Sequence, residues 1–205
     1  MEKNVIITIS RQFGSNGREI ARKLAEYLDI SYYNKEILER IAVNMGVCAD
    51  FFKDQNQDAN GLFTIESKGL LGLRNITELS VNSQIYDMAS DFIQKISQRE
   101  DAVIVGRCAD YALEERDDVL SVFIHADLED RIKNVAKLNE LTDNKAKDLI
   151  HKTDKRRASY YNYYTNKKWG DAESYDICIN SSKFGVDGCV KAIKDFLELE
   201  ASLED

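Results

Sequence analysis

The most informative stretch of the sequence is VIITISRQFGSNGREI, residues Val5–Ile20. Residues 5–9 form a short β-branched run, which is typical of a strand buried on both faces of a parallel sheet. Gly14 and Gly17 then permit backbone angles that let consecutive N–H groups turn inward around an anion. Apolar residues follow at helical spacing, at Ile20, Ala21, Leu24, Ala25 and Leu28. The stretch therefore predicts a strand, a phosphate-binding loop and a helix whose N-terminus also favours phosphate.

The loop departs from the common phosphate-loop pattern G-x-x-x-x-G-K-[ST]. If Gly17 is the second glycine, Gln12 stands at the first. Arg18 then replaces the lysine, and Glu19 replaces the Ser/Thr that holds magnesium. Arg11 and Arg18 add charges that stay protonated near neutral pH. For this loop taken alone, an ordinary strand-to-helix turn is the alternative to a phosphate site.

Composition limits the partners of the protein. A chain of 205 residues is long enough for one sizeable core, which predicts a single domain. The net charge of −8 argues against non-specific binding to nucleic acids or to anionic membranes. No apolar stretch approaches the length of about 18 residues that a membrane span needs, and no leader precedes the first strand. We therefore expect a cytoplasmic protein, and the sequence does not indicate its oligomeric state.

The potential metal ligands are too scattered to predict a metal centre. Cys48, Cys108, Cys178 and Cys189 lack C-x-x-C spacing, and the two histidines are isolated. This pattern favours reduced, mostly buried thiols over zinc ligands or disulfides.

The rest of the chain alternates strands with helices. Further strands are predicted at residues 30–33, 102–105, 119–124 and 175–179. Helices are predicted at residues 35–43, 75–98, 127–164 and 186–199, with Asn34 and Asp127 placed to cap two of them, and residues 45–73 read as an insertion. This alternation implies parallel crossovers and a three-layer α/β sheet. The loop at 10–17, the Gly106–Arg107 turn and the Asn180–Ser181 turn would then share the sheet edge where ligands bind.

Several segments together resemble a known family. They are Ile7–Ala21, Val103–Asp110, Asp154–Tyr164 and Tyr175–Ser182, and they resemble the cytidylate-kinase-like family of bacterial P-loop proteins. The resemblance implies a three-layer P-loop NTPase fold, in which helices flank a parallel sheet of about five strands. It also implies an acceptor-binding excursion around residues 45–95 and a basic helical lid around residues 128–170.

The resemblance further implies transfer of the γ-phosphoryl group of ATP to a nucleoside monophosphate, with CMP or dCMP as the expected acceptor. Magnesium would be held largely by ATP oxygens and water. The residues implied for the donor phosphates are Ser10, Arg11, Gly14, Ser15, Asn16, Gly17 and Arg18. Arg107 and Asp110 would face the acceptor, and the implied catalytic residues are Arg18, Arg131 and Arg157. An ungapped match to true cytidylate kinases places Gly17 at their loop lysine, whereas a one-residue shift places Arg18 there.

Other interpretations of these residues remain open. Arg107 could pair with Asp110 at a turn, Asp110 could cap a helix, and Arg131 and Arg157 could form surface ion pairs. Two other functions also fit the sequence. One is a P-loop kinase for another small acceptor, and the other is a nucleotide-binding regulatory protein with weak catalysis.

Overall fold

The computed structural model contains a five-stranded, fully parallel sheet. The structure describes residues 4–34, 83 and 86–203. The strands, labelled in chain order, are β1 (Ile6–Arg11), β2 (Ser31–Tyr33), β3 (Ala102–Val105), β4 (Val119–His125) and β5 (Ile177–Asn180). Their order across the sheet is β2-β3-β1-β4-β5, so β1 is the central strand. The predicted α/β class and parallel sheet of about five strands are confirmed.

Helices cover both faces of this sheet. Within the described residues they are α1 (Gly17–Leu28), α2 (86–97), α3 (Ala109–Ala112), α4 (Leu128–Asn139), α5 (Asp143–Thr165) and α6 (Ser181–Leu203). In α6, Gly185 breaks the helix with a φ of 66°, so a first turn precedes the main helix. None of the helices in the described ranges is long and apolar enough to cross a membrane.

Burial of the central strands explains why β1 and β3 form. Both are β-branched runs, and their side chains are almost completely buried on both faces. One face packs against α1 and α6 through residues such as Leu24 and Ile193. The other packs against α2 and α3 through residues such as Ile93 and Leu113. The result is the three-layer architecture that alternation of strands and helices predicts.

The described elements follow the sequence prediction closely. Strand β3 has the predicted bounds, and the other predicted strands are present within about two residues, a usual uncertainty at element ends. Asn34 is the last described residue of the first range, whereas the helix predicted at 35–43 and the insertion at 45–73 lie outside the described residues. So does most of the acceptor-binding excursion, although residues 86–97 of the helix predicted at 75–98 are helical.

The expectation for Asp127 needs correction, whereas the described cysteines agree with the expectation of reduced, mostly buried thiols. Asp127 occupies the N-cap position of α4, but its side chain makes no capping hydrogen bond. Its carboxylate accepts a hydrogen bond from the Asn180 amide at 3.1 Å instead, because β5 ends beside it. Among the described cysteines, Cys108 and Cys189 are buried free thiols, whereas the thiol of Cys178 is exposed.

Candidate active site

The loop between β1 and α1 is fixed to the end of β4. The Gln12 amide donates to the Ile124 carbonyl at 2.9 Å, and the Gln12 side-chain oxygen accepts from the Ala126 amide at 3.1 Å. The buried Ser15 hydroxyl donates to the Gln12 carbonyl at 2.9 Å. These bonds hold the loop above the centre of the sheet, at the carboxyl ends of its strands, where α/β proteins bind ligands.

The geometry of the loop suits an anion. Gly14 has a φ of 82° and Asn16 lies in the left-handed region with a φ of 57°, so the chain makes a tight turn before α1. The Asn16 side chain makes no capping hydrogen bond to the helix. A helix N-terminus offers its first amides to an outside acceptor, and the helix dipole favours negative charge there.

Arg131 of α4 lies buried against this loop. A Cβ atom at Gly14 would stand only 2.9 Å from the Arg131 carbonyl oxygen, so the absence of a side chain lets α4 approach the loop. The Arg131 Nη1 atom pairs with Asp154 Oδ2 of α5 at 2.5 Å. The Arg131 Nε atom is buried and has no hydrogen-bond partner in the part of the chain that the structure describes. Arg131 is therefore not a surface ion pair but a buried cation with spare donor capacity beside the loop.

Asp154 joins the loop to both helices. Its second oxygen, Oδ1, accepts a hydrogen bond from the Phe13 amide at 2.8 Å. Asn134 of α4 adds a hydrogen bond to the Gly14 carbonyl at 2.9 Å. The aromatic ring of Phe13 packs with the apolar residues between α4 and α5. The two helices and the loop thus form one connected unit.

Arg157 adds a second cation from α5. Its Nη1 atom donates to the Arg11 carbonyl at 2.8 Å, and its guanidinium lies 5.5 Å from the centre of the Phe13 ring. The pKa of Arg157 is lowered to about 10, mainly because the guanidinium is buried; Asp154 opposes the shift, while Arg156, Arg18 and Arg131 add to it. The site therefore concentrates positive charge in an otherwise acidic protein.

The Gly106–Arg107 turn forms the other side of the site. It follows β3, and Gly106, Arg107 and Cys108 all have positive φ angles. Burial raises the pKa of Tyr160 to about 12, and the nearby Arg107 guanidinium opposes this shift. The Arg107 side chain therefore lies close to Tyr160 of α5.

Asp110 lies just beyond this turn and contacts α5. The Tyr161 hydroxyl donates to Asp110 Oδ2 at 2.6 Å, and burial raises the pKa of the Asp110 carboxyl. The Tyr161 ring packs on Tyr175, which in turn contacts Phe123. These aromatic contacts fix the position of α5 relative to the sheet.

A small open pocket lies on the opposite side of the loop, near the ends of β4 and β5. Its cavity volume is about 210 Å³, and its lining residues are Asn16, Ala126, Asp130, Lys133, Asn134, Ser181 and Ser182. The Ser181 hydroxyl lies 2.8 Å from the Ser15 carbonyl and 3.1 Å from the His125 carbonyl, which are its two acceptors. The turn after β5 is thereby fixed to the loop.

The loop does not offer the protein ligands that usually hold magnesium. Ordinary phosphate loops use a Ser/Thr hydroxyl directly after the lysine. Here the residue after Arg18 is Glu19, which is exposed on the first turn of α1. The Ser15 hydroxyl is committed to the Gln12 carbonyl. Within the described ranges, no group of three or more His, Cys, Asp or Glu side chains could hold a metal ion.

The structure brings the predicted site residues to one edge of the sheet. Residues 10–18 span the end of β1, the loop and the start of α1. Arg131 and Arg157 approach the loop from α4 and α5, and Arg107 and Asp110 lie on the β3 side. Their roles in binding and catalysis stay predictions.

Several residues that hold this site together belong to no sequence motif that predicts a role for them. They are Asp154, Asn134, Tyr161 and Ser181. A partial signal for Asp154 was its position three residues before Arg157, which places both on one face of a helix.

Comparisons with known proteins agree with this fold. A family model described as the cytidylate kinase-like family matches residues 6–183. The solved structure of an uncharacterized protein from Eubacterium ventriosum is 31% identical, with a TM-score of 0.73 and coverage of 95% of this chain and 99% of that one. No curated protein matches the chain significantly.

More distant structures share the fold alone. Shikimate kinase from Bacteroides thetaiotaomicron has a TM-score of 0.56 at 12% identity, covering 95% of this chain and 98% of that one. Shikimate kinase from Acinetobacter baumannii, solved in complex with shikimate, has a TM-score of 0.53 at 10% identity and covers 96% and 94%. Because the family model spans most of the sequence and the sheet carries the predicted phosphate loop, the chain belongs to the cytidylate kinase-like family.

Proposed function

We propose that this protein transfers the γ-phosphoryl group of ATP to a nucleoside monophosphate, with CMP or dCMP as the preferred acceptor. The observation that carries the proposal is the concentration of guanidinium groups around the loop. The Arg157 guanidinium donates to the Arg11 carbonyl, and Arg18 lies near Arg157. The Arg131 guanidinium is joined to the Phe13 amide through the carboxylate of Asp154. Such a site in an acidic protein favours a polyanion of small size.

The two sides of the loop suggest where the two substrates bind. The pocket near β4 and β5 adjoins the loop at Asn16 and is lined by polar groups, which suits the nucleoside of the donor. The Gly106–Arg107 turn lies on the β3 side and suits the acceptor. The donor phosphates would then cross the centre of the sheet at the N-terminus of α1.

Phosphoryl transfer depends on positioning and on neutralising charge. An oxygen of the acceptor phosphate attacks the γ-phosphorus in line, a new P–O bond forms, and the bond to the β-phosphate oxygen breaks to release ADP. No general base is needed, because a phosphate monoester is mostly dianionic near neutral pH. Loop amides would hold the donor, and the positive charge of the Arg131 and Arg157 guanidinium groups would stabilise the transferred group. Magnesium would enter as part of the Mg–ATP substrate, since the described loop residues offer no metal site.

The direct test is ADP production from Mg–ATP with CMP, dCMP, UMP, AMP or GMP, beside a reaction without acceptor. The proposal expects acceptor-dependent turnover, highest with a cytidine monophosphate. Arg131→Lys keeps the charge but loses the guanidinium geometry, and we expect it to lower kcat by about 100-fold. Lys152→Ala, on the exposed face of α5, is the matched control and should leave kcat unchanged.

The outcomes separate the alternative functions. Turnover with none of the monophosphates, despite measurable ATP binding, would contradict the proposal. It would favour a kinase for another small acceptor or a nucleotide-binding regulatory protein.

A further inference from the structure

Arg11 occupies a groove that two glycines create. A Cβ atom at Gly17 would lie 2.6 Å from Arg11 Cβ, and a Cβ atom at Gly106 would lie 2.5 Å from Arg11 Nη1. Neither position can carry a side chain unless Arg11 moves. The first glycine therefore leaves space for the stem of Arg11 beside the start of α1, and the second leaves space for its guanidinium at the turn after β3.

The strand order shows on which side of the loop the Arg11 guanidinium lies. Arg11 ends β1, which lies between β3 and β4. The loop itself is anchored on the β4 side through Gln12, and the open pocket lies on that side too. The guanidinium of Arg11 instead extends to Gly106, on the β3 side. Arg157 fixes the Arg11 backbone by donating to its carbonyl at 2.8 Å.

The charge of Arg11 therefore lies away from the loop amides that would hold the donor. A lysine of an ordinary phosphate loop reaches the outer phosphates of the donor from the helix N-terminus. Arg11 approaches from the end of the strand, beside Arg107 on the turn. A guanidinium at this turn suits a terminal phosphate, because it can donate two parallel hydrogen bonds to the phosphate oxygens.

We infer that Arg11 binds the phosphate group of the acceptor rather than the phosphates of ATP, and thereby selects acceptors that carry a phosphomonoester. Gly106 serves this role by leaving space for the guanidinium. The inference rests on the proposed phosphoryl transfer, which it deepens by assigning the acceptor phosphate to a named side chain.

The test measures binding of inorganic phosphate to the full-length protein saturated with β,γ-imido-ATP, a non-hydrolysable analogue of ATP, so that the positions of all three donor phosphates are filled. Line broadening in ³¹P NMR gives the dissociation constant of phosphate, and calorimetry gives that of ATP. We expect Arg11→Ala to weaken phosphate binding by about 10-fold or more, as loss of a charge-assisted contact predicts, and to change ATP binding by less than about threefold.

Gly106→Ala offers an independent test, because its Cβ would displace the guanidinium without removing the charge. Gly106→Ala should weaken phosphate binding nearly as much as Arg11→Ala does. The double variant should bind phosphate no more weakly than Arg11→Ala alone. Gly185→Ala is the matched control, since Gly185 has a comparable φ of 66° but open space around it. This control should leave phosphate binding unchanged, and thermal unfolding identifies any variant that fails to fold.

Each outcome decides a separate point. If Arg11→Ala weakens ATP binding as much as phosphate binding, or if the wild type saturated with β,γ-imido-ATP binds no phosphate, the Arg11 assignment is wrong. If phosphate binding depends on Arg11 but no nucleoside monophosphate is phosphorylated, the assignment stands and the proposed function fails. Full turnover with CMP in Arg11→Ala would also refute the assignment while leaving the proposed function intact.

Discussion

Replacing Asp154 with alanine removes the carboxylate that joins the loop to α4 and α5. Its two oxygens bind Arg131 at 2.5 Å and the Phe13 amide at 2.8 Å. The exposed fraction of the Arg131 side chain is 7%, and that of Asp154 is 16%, so the pair is largely shielded from water. The substitution would leave a buried cation without its partner.

The expected loss of stability follows from this burial. Removing one partner of a buried ion pair costs about 3–5 kcal/mol, most of it from the charge left behind. For a chain of this length, 1 kcal/mol shifts Tm by roughly 2–4 °C, so we expect Tm to fall by about 6–20 °C. Asp154→Asn keeps an acceptor for the Phe13 amide and should therefore lose less stability than Asp154→Ala. Asp148→Ala, an exposed position on the same helix, should change the free energy of unfolding by about 0.5 kcal/mol or less.

Urea unfolding monitored by circular dichroism measures these free energies. A double-mutant cycle with Arg131→Met isolates the ion pair, because the second substitution removes the stranded charge. The double variant should be more stable than the sum of the single losses predicts. A loss below about 1 kcal/mol for Asp154→Ala, or simple additivity with Arg131→Met, would refute this account of the pair.

Three other substitutions have definite expected outcomes. Gly14→Ala places a Cβ atom 2.9 Å from the α4 backbone, at a φ of 82° that side chains disfavour, so the Tm of this variant should fall. The fall should be larger than for Gly188→Ala, a control substitution within helix α6. Burial raises the pKa of Asp110 above its ordinary 3.8, so the folded state binds that proton more tightly and stability falls as pH rises through the raised pKa. Asp110→Asn should therefore flatten the pH dependence of Tm above about pH 4 and raise Tm at neutral pH. Ser181→Ala removes the hydroxyl that lies within hydrogen-bond distance of the Ser15 and His125 carbonyls, and it should lower the free energy of unfolding in urea by about 1–3 kcal/mol.

The central strand, loop and first helix could be predicted from the sequence because their signals are local. The β-branched run of β1, the loop glycines and the helical spacing from Ile20 to Leu28 all lie within one short stretch. The same is true of β3, whose four residues form an uninterrupted apolar run. Parallel pairing of these strands then followed from the alternation of elements.

The contacts that complete the site could not be predicted in this way, because they join distant parts of the chain. Asp154 binds the Phe13 amide across 141 residues, and no local pattern marks that partner. The carboxylate of Asp127 meets Asn180 instead of capping its own helix, so a tertiary contact replaced the local one. The direction of the Arg11 side chain likewise depends on a glycine in a separate turn.

Transfer of a phosphoryl group between nucleotides at this arginine-lined loop can be measured directly with ATP that carries ³²P at the γ-position, with CMP present and products separated by chromatography. We expect the label to move to CDP, in an amount equal to the ADP formed. Label that stays in ATP with every monophosphate, or that appears only as inorganic phosphate, would contradict phosphoryl transfer to a nucleotide.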